Sequence, residues 1–158
     1  MPDGGGTSSR PITLAIIGAG QRGSNYASFA LENPSRCTVV AVAEPRPHTR
    51  ARIAAAHKLV GPSVFETWQE LRDASAAATT AGGQRVADAV VVAVQDRMHL
   101  EVVEAFAELG YHILCEKPMA TSVEDCLKMY DAVTKAGTIF GMGHGMWSNR
   151  ISLNADNS

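Results

Sequence analysis

Residues Ile12 to Ala30 read ITLAIIGAGQRGSNYASFA. An apolar run of strand length stops at Gly18, Gly20 and Gly23, spaced G-x-G-x-x-G, and a helical pattern follows. Glycine spacing alone is weak evidence, since any tight turn uses glycine. Its context strengthens it. Gly18 permits the turn after a strand. Gly20 lets the backbone approach a pyrophosphate, which meets the free N–H groups of a helix start occupied by Gln21 and Arg22. Gly23, with Ala27 one turn later, lets that helix lie close on the sheet. A dinucleotide cradle also needs an acidic residue about 20 positions on, at the end of the second strand. Glu44 stands there, directly before Pro45. A carboxylate at that point can accept both ribose hydroxyls of adenosine. The competing reading, a turn plus a solvated glutamate, does not require strand, glycines, helix and acid together. The third glycine does not match the G-x-G-x-G usual in S-adenosylmethionine methyltransferases. An FAD-binding domain stays open on this motif alone.

Glu44 would repel a ribose 2'-phosphate, so NAD is favoured over NADP. Arg46, Arg50 and Arg52 follow closely, and an arginine nearby can accommodate that phosphate. Arg46 is counted among the cofactor contacts; Arg50 and Arg52 read as a solvated helix face.

Outward from this motif, apolar runs alternate with longer amphipathic ones. The pattern predicts strands at Ile12–Gly18, Thr38–Glu44, Val64–Phe65, Ala87–Val94, His112–Glu116 and Ile139–Gly143. It predicts helices at Gly20–Asn33, Arg46–Leu59, Thr67–Ala78, Met98–Leu109 and Thr121–Ala136. The last is expected to open on a capping box, Thr121-x-x-Glu124, and to stop at Gly137. The stretch TTAGGQR, Thr79 to Arg85, reads as a polar loop. ADAVVVAV, Ala87 to Val94, suits a strand buried on both faces, as in a parallel sheet covered by helices. Val102, Val103, Phe106 and Ala107 recur at helical spacing and are candidate core. The fold class expected is α/β, a doubly wound parallel sheet.

The 158 residues suit one compact domain. Apolar residues at 46% and charged ones at 19% fit a globular chain, and a net charge of -2 offers no nucleic-acid footprint. No apolar run reaches the roughly 18 residues of a membrane span. MPDGGGTSSR lacks the order of a secretory signal and reads as a flexible lead-in over residues 1–10. Cys37, Cys115 and Cys126 are odd in number and far apart, so buried reduced thiols in a cytoplasmic protein are expected, with neither disulfides nor a metal site.

A second constellation lies at later strand ends, where open α/β sheets bind ligands. The fourth strand runs into Gln95-Asp96-Arg97-Met98-His99, and the fifth into Glu116-Lys117-Pro118. Lys117 can hydrogen-bond the oxygen that changes oxidation state. Glu116 can orient it or touch the nicotinamide ribose. An X-Pro bond such as Lys117–Pro118 is a natural place for a cis peptide. With GAGQRG, AVAEPRP, QDRMH and GYHILCEKPMATSVEDC in place, the chain from about Pro11 to His144 resembles the N-terminal domain of the glucose–fructose oxidoreductase/inositol dehydrogenase (Gfo/Idh/MocA) family.

That resemblance implies a Rossmann domain over residues 11–144 and an NAD(P)-dependent oxidoreductase acting on sugars, cyclitols or related small polyols. It puts Gly18, Gly20 and Gly23 at the pyrophosphate, Glu44 at the adenosine ribose and Glu116 near the nicotinamide ribose. Lys117 becomes the catalytic lysine of a Glu-Lys-Pro motif. Val94 and Gln95 replace the first two residues of the family's usual Thr-Pro-x-x-x-His, while His99 keeps its place as a helix-start residue lining the crevice. His144 is open between site residue and structural histidine.

The family's second domain, which supplies the substrate pocket, has no match, and residues 145–158 read as an irregular tail. The sequence therefore predicts a dinucleotide-binding chain that turns over little or no polyol unless a second domain is supplied. A non-catalytic binding module stays open beside it. So does a fragment with apolar surface uncovered around Met142, Met146 and Trp147.

Overall fold

The computed structural model describes residues 10–143. His144, Met146, Trp147, residues 1–9 of the lead-in and the tail lie outside them. Six strands are found: β1 (Ile12–Ile17), β2 (Cys37–Ala43), β3 (Val64–Phe65), β4 (Ala89–Val92), β5 (His112–Glu116) and β6 (Phe140–Gly143). Five α-helices connect them: α1 (Gln21–Glu32), α2 (Pro47–Ala56), α3 (Trp68–Thr80), α4 (His99–Glu108) and α5 (Val123–Ala136). All pairings are parallel, in the order β3-β2-β1-β4-β5-β6. The order reverses between β1 and β4, which opens a crevice at their carboxyl ends.

Strand alternation builds two cores. On β1, Ala15 and Ile17 face one side and Ile16 the other. On β4, Val90 and Val92 join the first side and Val91 the second. The first side is covered by α3, α4 and α5 through Leu71, Val102, Val103, Phe106, Met129 and Val133. The second is covered by α1 and α2 through Ala27, Ala30 and Ile53. Every strand of the centre is thus buried on both faces, the reason for the unbroken apolar run in ADAVVVAV. Phe106 and Tyr111, both fully buried, meet edge to face with centroids 5.4 Å apart. The Tyr111 hydroxyl donates to Ser75 Oγ at 2.8 Å and accepts the Val86 N–H at 3.0 Å. Arg10 and Thr13 fasten the amino end of β1, both bonding the Asp88 carboxylate just before β4.

Several expected boundaries move. The α5 cap is Ser122, whose side chain accepts from the Asp125 N–H at 3.1 Å, so the helix starts beyond Thr121. The true capping box is Thr67-x-x-Glu70, opening α3. That helix runs through Thr79 and Thr80, which bond back to carbonyls four residues earlier, and the loop expected there begins at Ala81. A short 3-10 turn, Asp96–Met98, precedes α4. Gly137 takes the left-handed conformation at the end of α5, φ 65°. Met142 packs against the first core rather than standing on open apolar surface.

Candidate functional site

The turn between β1 and α1 lies at the carboxyl end of the central strand. Gly18 has φ 84°, a region that disfavours side chains, and a Cβ there would stand 2.6 Å from the Ala93 carbonyl oxygen. Gly23 is buried, and a Cβ on it would fall inside the Gly18 carbonyl oxygen. Two glycines therefore let α1 start directly above β1 and β4. Gly20 caps α1 without a side-chain partner, so its first N–H groups carry no side-chain acceptor.

Glu44, directly after β2, closes this turn from the side. Its side chain is buried, and Oε2 accepts the Ala19 N–H at 2.8 Å. Arg46 supplies three further donors: its backbone N–H and Nε to Oε1, at 3.0 and 2.7 Å, and Nη2 to Oε2 at 3.0 Å. Burial pushes the Glu44 carboxyl up. The Arg46 and Ala19 hydrogen bonds outweigh it and hold the group below the usual carboxylate range. Arg50 is not on a solvated face: it bonds the Glu44 and Pro45 carbonyls and pairs with Glu66. Arg52 is exposed, as expected for a solvated face, and its Nη2 donates to Ser24 Oγ at 2.8 Å, tying α2 to α1.

A cavity of about 610 Å³ opens beside this pair. Gly18, Gly20, Glu44, Arg46 and Gln95 line it, as do Trp68 and Arg97. Gln21, Arg22, Gly23, His99, Glu116 and Lys117 are not in its lining. The expected site residues thus divide into a group on the β2 side and a group towards β5.

On the β5 side, Glu116 is 5% exposed. Its Oε1 accepts the Tyr26 hydroxyl at 2.7 Å and pairs with Arg22 Nε at 3.2 Å. Its Oε2 accepts the Lys117 N–H at 3.1 Å. Burial raises the Glu116 carboxyl, and the donors from Tyr26, Lys117 and Arg22 overcome that and hold it low. The Tyr26 phenol is pushed up to about 12, by burial and by the Glu116 carboxylate. This cluster clamps α1 to β5. Lys117 is exposed, and its bond to Pro118 is cis.

His99 is 1% exposed and does not line an open crevice. Its Nδ1 lies 2.9 Å from the Pro118 carbonyl and its Nε2 3.2 Å from that of Val94. The ring sits between the turn after β4 and the loop after β5, and as a neutral imidazole it donates to one of these carbonyls. Cys115, on β5, is fully buried, and burial with the Glu116 charge pushes its thiol up to about 12. It is no nucleophile. Among the described residues no helix is long and apolar enough to cross a membrane.

Sequence reasoning missed Tyr26 and Trp68. Tyr26 follows Arg22 by one helical turn, on the face that carries Gly23 and Ala27, and that spacing aims its polar tip at the strand ends. Trp68, the first residue of α3, is buried and also walls the cavity.

Residues 12–144 match the family model described as "Oxidoreductase family, NAD-binding Rossmann fold". Inositol 2-dehydrogenase of Klebsiella pneumoniae is 32% identical over 126 residues, covering 80% of this chain and 34% of that enzyme. The D-xylose 1-dehydrogenase [NADP(+)] of Haloarcula marismortui is 29% identical over 121 residues, covering 77% and 31%. The WlbA dehydrogenase of Bordetella pertussis, solved in complex with NADH and UDP-GlcNAcA, superposes with a TM-score of 0.70 at 26% identity, covering 84% of this chain and 37% of that one. The chain spans about a third of the length of each of these relatives.

Proposed function

Because the chain belongs to this family of oxidoreductases with an NAD-binding Rossmann fold, we propose that its own residues bind a nicotinamide dinucleotide across the carboxyl ends of the sheet. In this reading they form the nucleotide half of a hydride-transferring enzyme for sugars, cyclitols or similar polyols. One observation carries it. Gly18, Gly23 and the Ala19–Glu44 bond together hold an uncapped helix N-terminus open beside a buried carboxylate. The N–H groups of Gly20, Gln21 and Arg22 suit a pyrophosphate, and Glu44 suits the adenosine ribose. Trp68 and Arg97 are further walls of the cavity beside Glu44.

The nicotinamide supplies the hydride acceptor when bound. Gln95 and the exposed Lys117, after β4 and β5, mark where that ring would lie. Lys117 acts on the substrate oxygen, stabilising negative charge as the carbon is oxidised. Glu116 holds the Lys117 backbone from beneath and contributes to ribose contact only through the loop it fixes. His99 braces the same loop through the Pro118 carbonyl. NAD is preferred to NADP, since a carboxylate held charged at Glu44 repels a 2'-phosphate.

Calorimetric titration of the chain with NAD and, separately, NADP tests the proposal. Saturable heat is expected with at least one, stronger with NAD. No heat with either overturns it.

A further inference from the structure

The Glu44 carboxylate has no acceptor site to spare. An ionised carboxylate offers about four lone-pair sites. Here four donors take them: Ala19 N–H, Arg46 N–H, Arg46 Nε and Arg46 Nη2. Nothing is left for two ribose hydroxyls. Two of the four donors are backbone groups fixed by the fold. The other two belong to a guanidinium whose side chain is 62% exposed, while that of Glu44 is 2% exposed. Nη2 of Arg46 would stand 3.3 Å from a Cβ at Gly20, so the guanidinium also lies over the glycine turn. Arg50 and Arg52 are committed elsewhere, to the Glu44 and Pro45 carbonyls and to Ser24. Arg46 alone of the three is held by the ribose-binding acid itself.

We infer that Arg46 is a bolt on the adenosine-ribose subsite, which NAD must draw and NADP can use. The inference rests on the dinucleotide reading above. The ribose diol of NAD brings two O–H donors, and these replace the two guanidinium donors on Glu44 one for one. The cost of entry is the Arg46–Glu44 pair. A 2'-phosphate brings acceptors instead, so it turns the guanidinium towards itself and keeps the cation at the subsite. Arg46 therefore sets the ratio of the two affinities, pulling it towards NADP against the bias of Glu44.

The test is calorimetry with NAD and with NADP on the wild type, Arg46→Ala, Arg46→Lys, Glu44→Gln and the Glu44→Gln/Arg46→Ala double variant. Arg46→Ala keeps both backbone donors on Glu44 and frees its two outer lone pairs. NAD affinity should rise about threefold to tenfold, the scale of a largely exposed ion pair with charge-assisted geometry. NADP affinity should fall about tenfold. Arg46→Lys, unable to span both oxygens, should lie between. In the Glu44→Gln background the gain for NAD should vanish, because the acceptor the bolt protects is gone. Circular dichroism and a melt on each variant establish that all are folded. An Arg46→Ala protein that binds NAD no better than the wild type, or a gain that persists without Glu44, overturns the bolt and leaves the dinucleotide reading standing. Absence of heat from all five folded proteins overturns both.

Discussion

Replacing Tyr26 by Phe removes one oxygen atom and isolates the clamp between α1 and β5. The Tyr26 hydroxyl donates at 2.7 Å to a carboxylate that is 5% exposed. A hydrogen bond to a charged partner contributes about 1.5–3 kcal/mol, and part-exposure of the ring places this one near the lower end, about 1.5 kcal/mol. For a domain of this size that is a melting-point drop of about 5 °C. Glu116 keeps the Lys117 N–H and Arg22, so the variant should still fold. The effect has a pH signature at both ends. Glu116 is depressed from its ordinary value of 4.5, so the bond's contribution is present above that pH and is lost as pH falls through the lower folded value. Tyr26 is raised from 10.0 to about 12, so its contribution is complete below pH 10 and is lost as pH rises through about 12. Urea denaturation across pH should show the penalty near its full size at pH 7 and shrinking below 4.5. A variant within about 0.5 kcal/mol of the wild type at pH 7 would refute the clamp, and so would a penalty that does not change in acid.

Gly23→Ala should cost about 3 kcal/mol, the upper end for overpacking, since its methyl meets the Gly18 carbonyl rather than a yielding side chain. Gly137→Ala, strained only by φ 65° and with open space around it, should cost about 1 kcal/mol by chemical denaturation. Ser122→Ala should lower stability by about 1 kcal/mol and Thr121→Ala by much less; equal losses would restore the cap to Thr121. Asp88 is held well below its usual range, first by the Arg10 hydrogen bond and then by the Thr13 donors, against burial. Its stabilisation is therefore present above pH 3.8 and fades as pH falls below that. Asp88→Asn should destabilise at pH 7 and flatten the acid limb of the stability profile; an unchanged limb would remove Asp88 from that role.

The fold was legible because its signals are local and redundant. The glycines, the apolar run of β4 and the Gly137 stop each follow from backbone sterics or burial, and these act at fixed sequence distances. The capping residue of α5 was misplaced by one because Thr121 and Ser122 satisfy the same pattern, and only the chain's direction into the helix chooses Ser122. Periodicity also cannot tell an exposed apolar position from a buried one. On α5, Val123, Leu127 and Tyr130 recur at helical spacing yet are 78%, 60% and 61% exposed, while Met129 and Val133 on the neighbouring stripe carry the packing. The site was legible as a set of residue types, and less so as a set of contacts. Partners such as Tyr26 for Glu116, 90 positions away, leave no trace in the spacing of either.

The three buried polar side chains at the carboxyl edge share a logic that sequence patterns hide. Glu44, His99 and Glu116 look like ligand contacts because polar groups at strand ends usually are. In the structure each bonds backbone of a neighbouring loop: Ala19, Pro118 and Lys117 respectively. Burying such groups is costly unless their hydrogen bonds are made, so each bond also fixes the loop that makes it. A crevice built this way has its glycine turn, its β4 turn and its Lys117 loop set before any cofactor arrives. Arg46, largely exposed while bonded to the buried Glu44, is then the group at its mouth whose substitution should change the order of affinities more than binding itself.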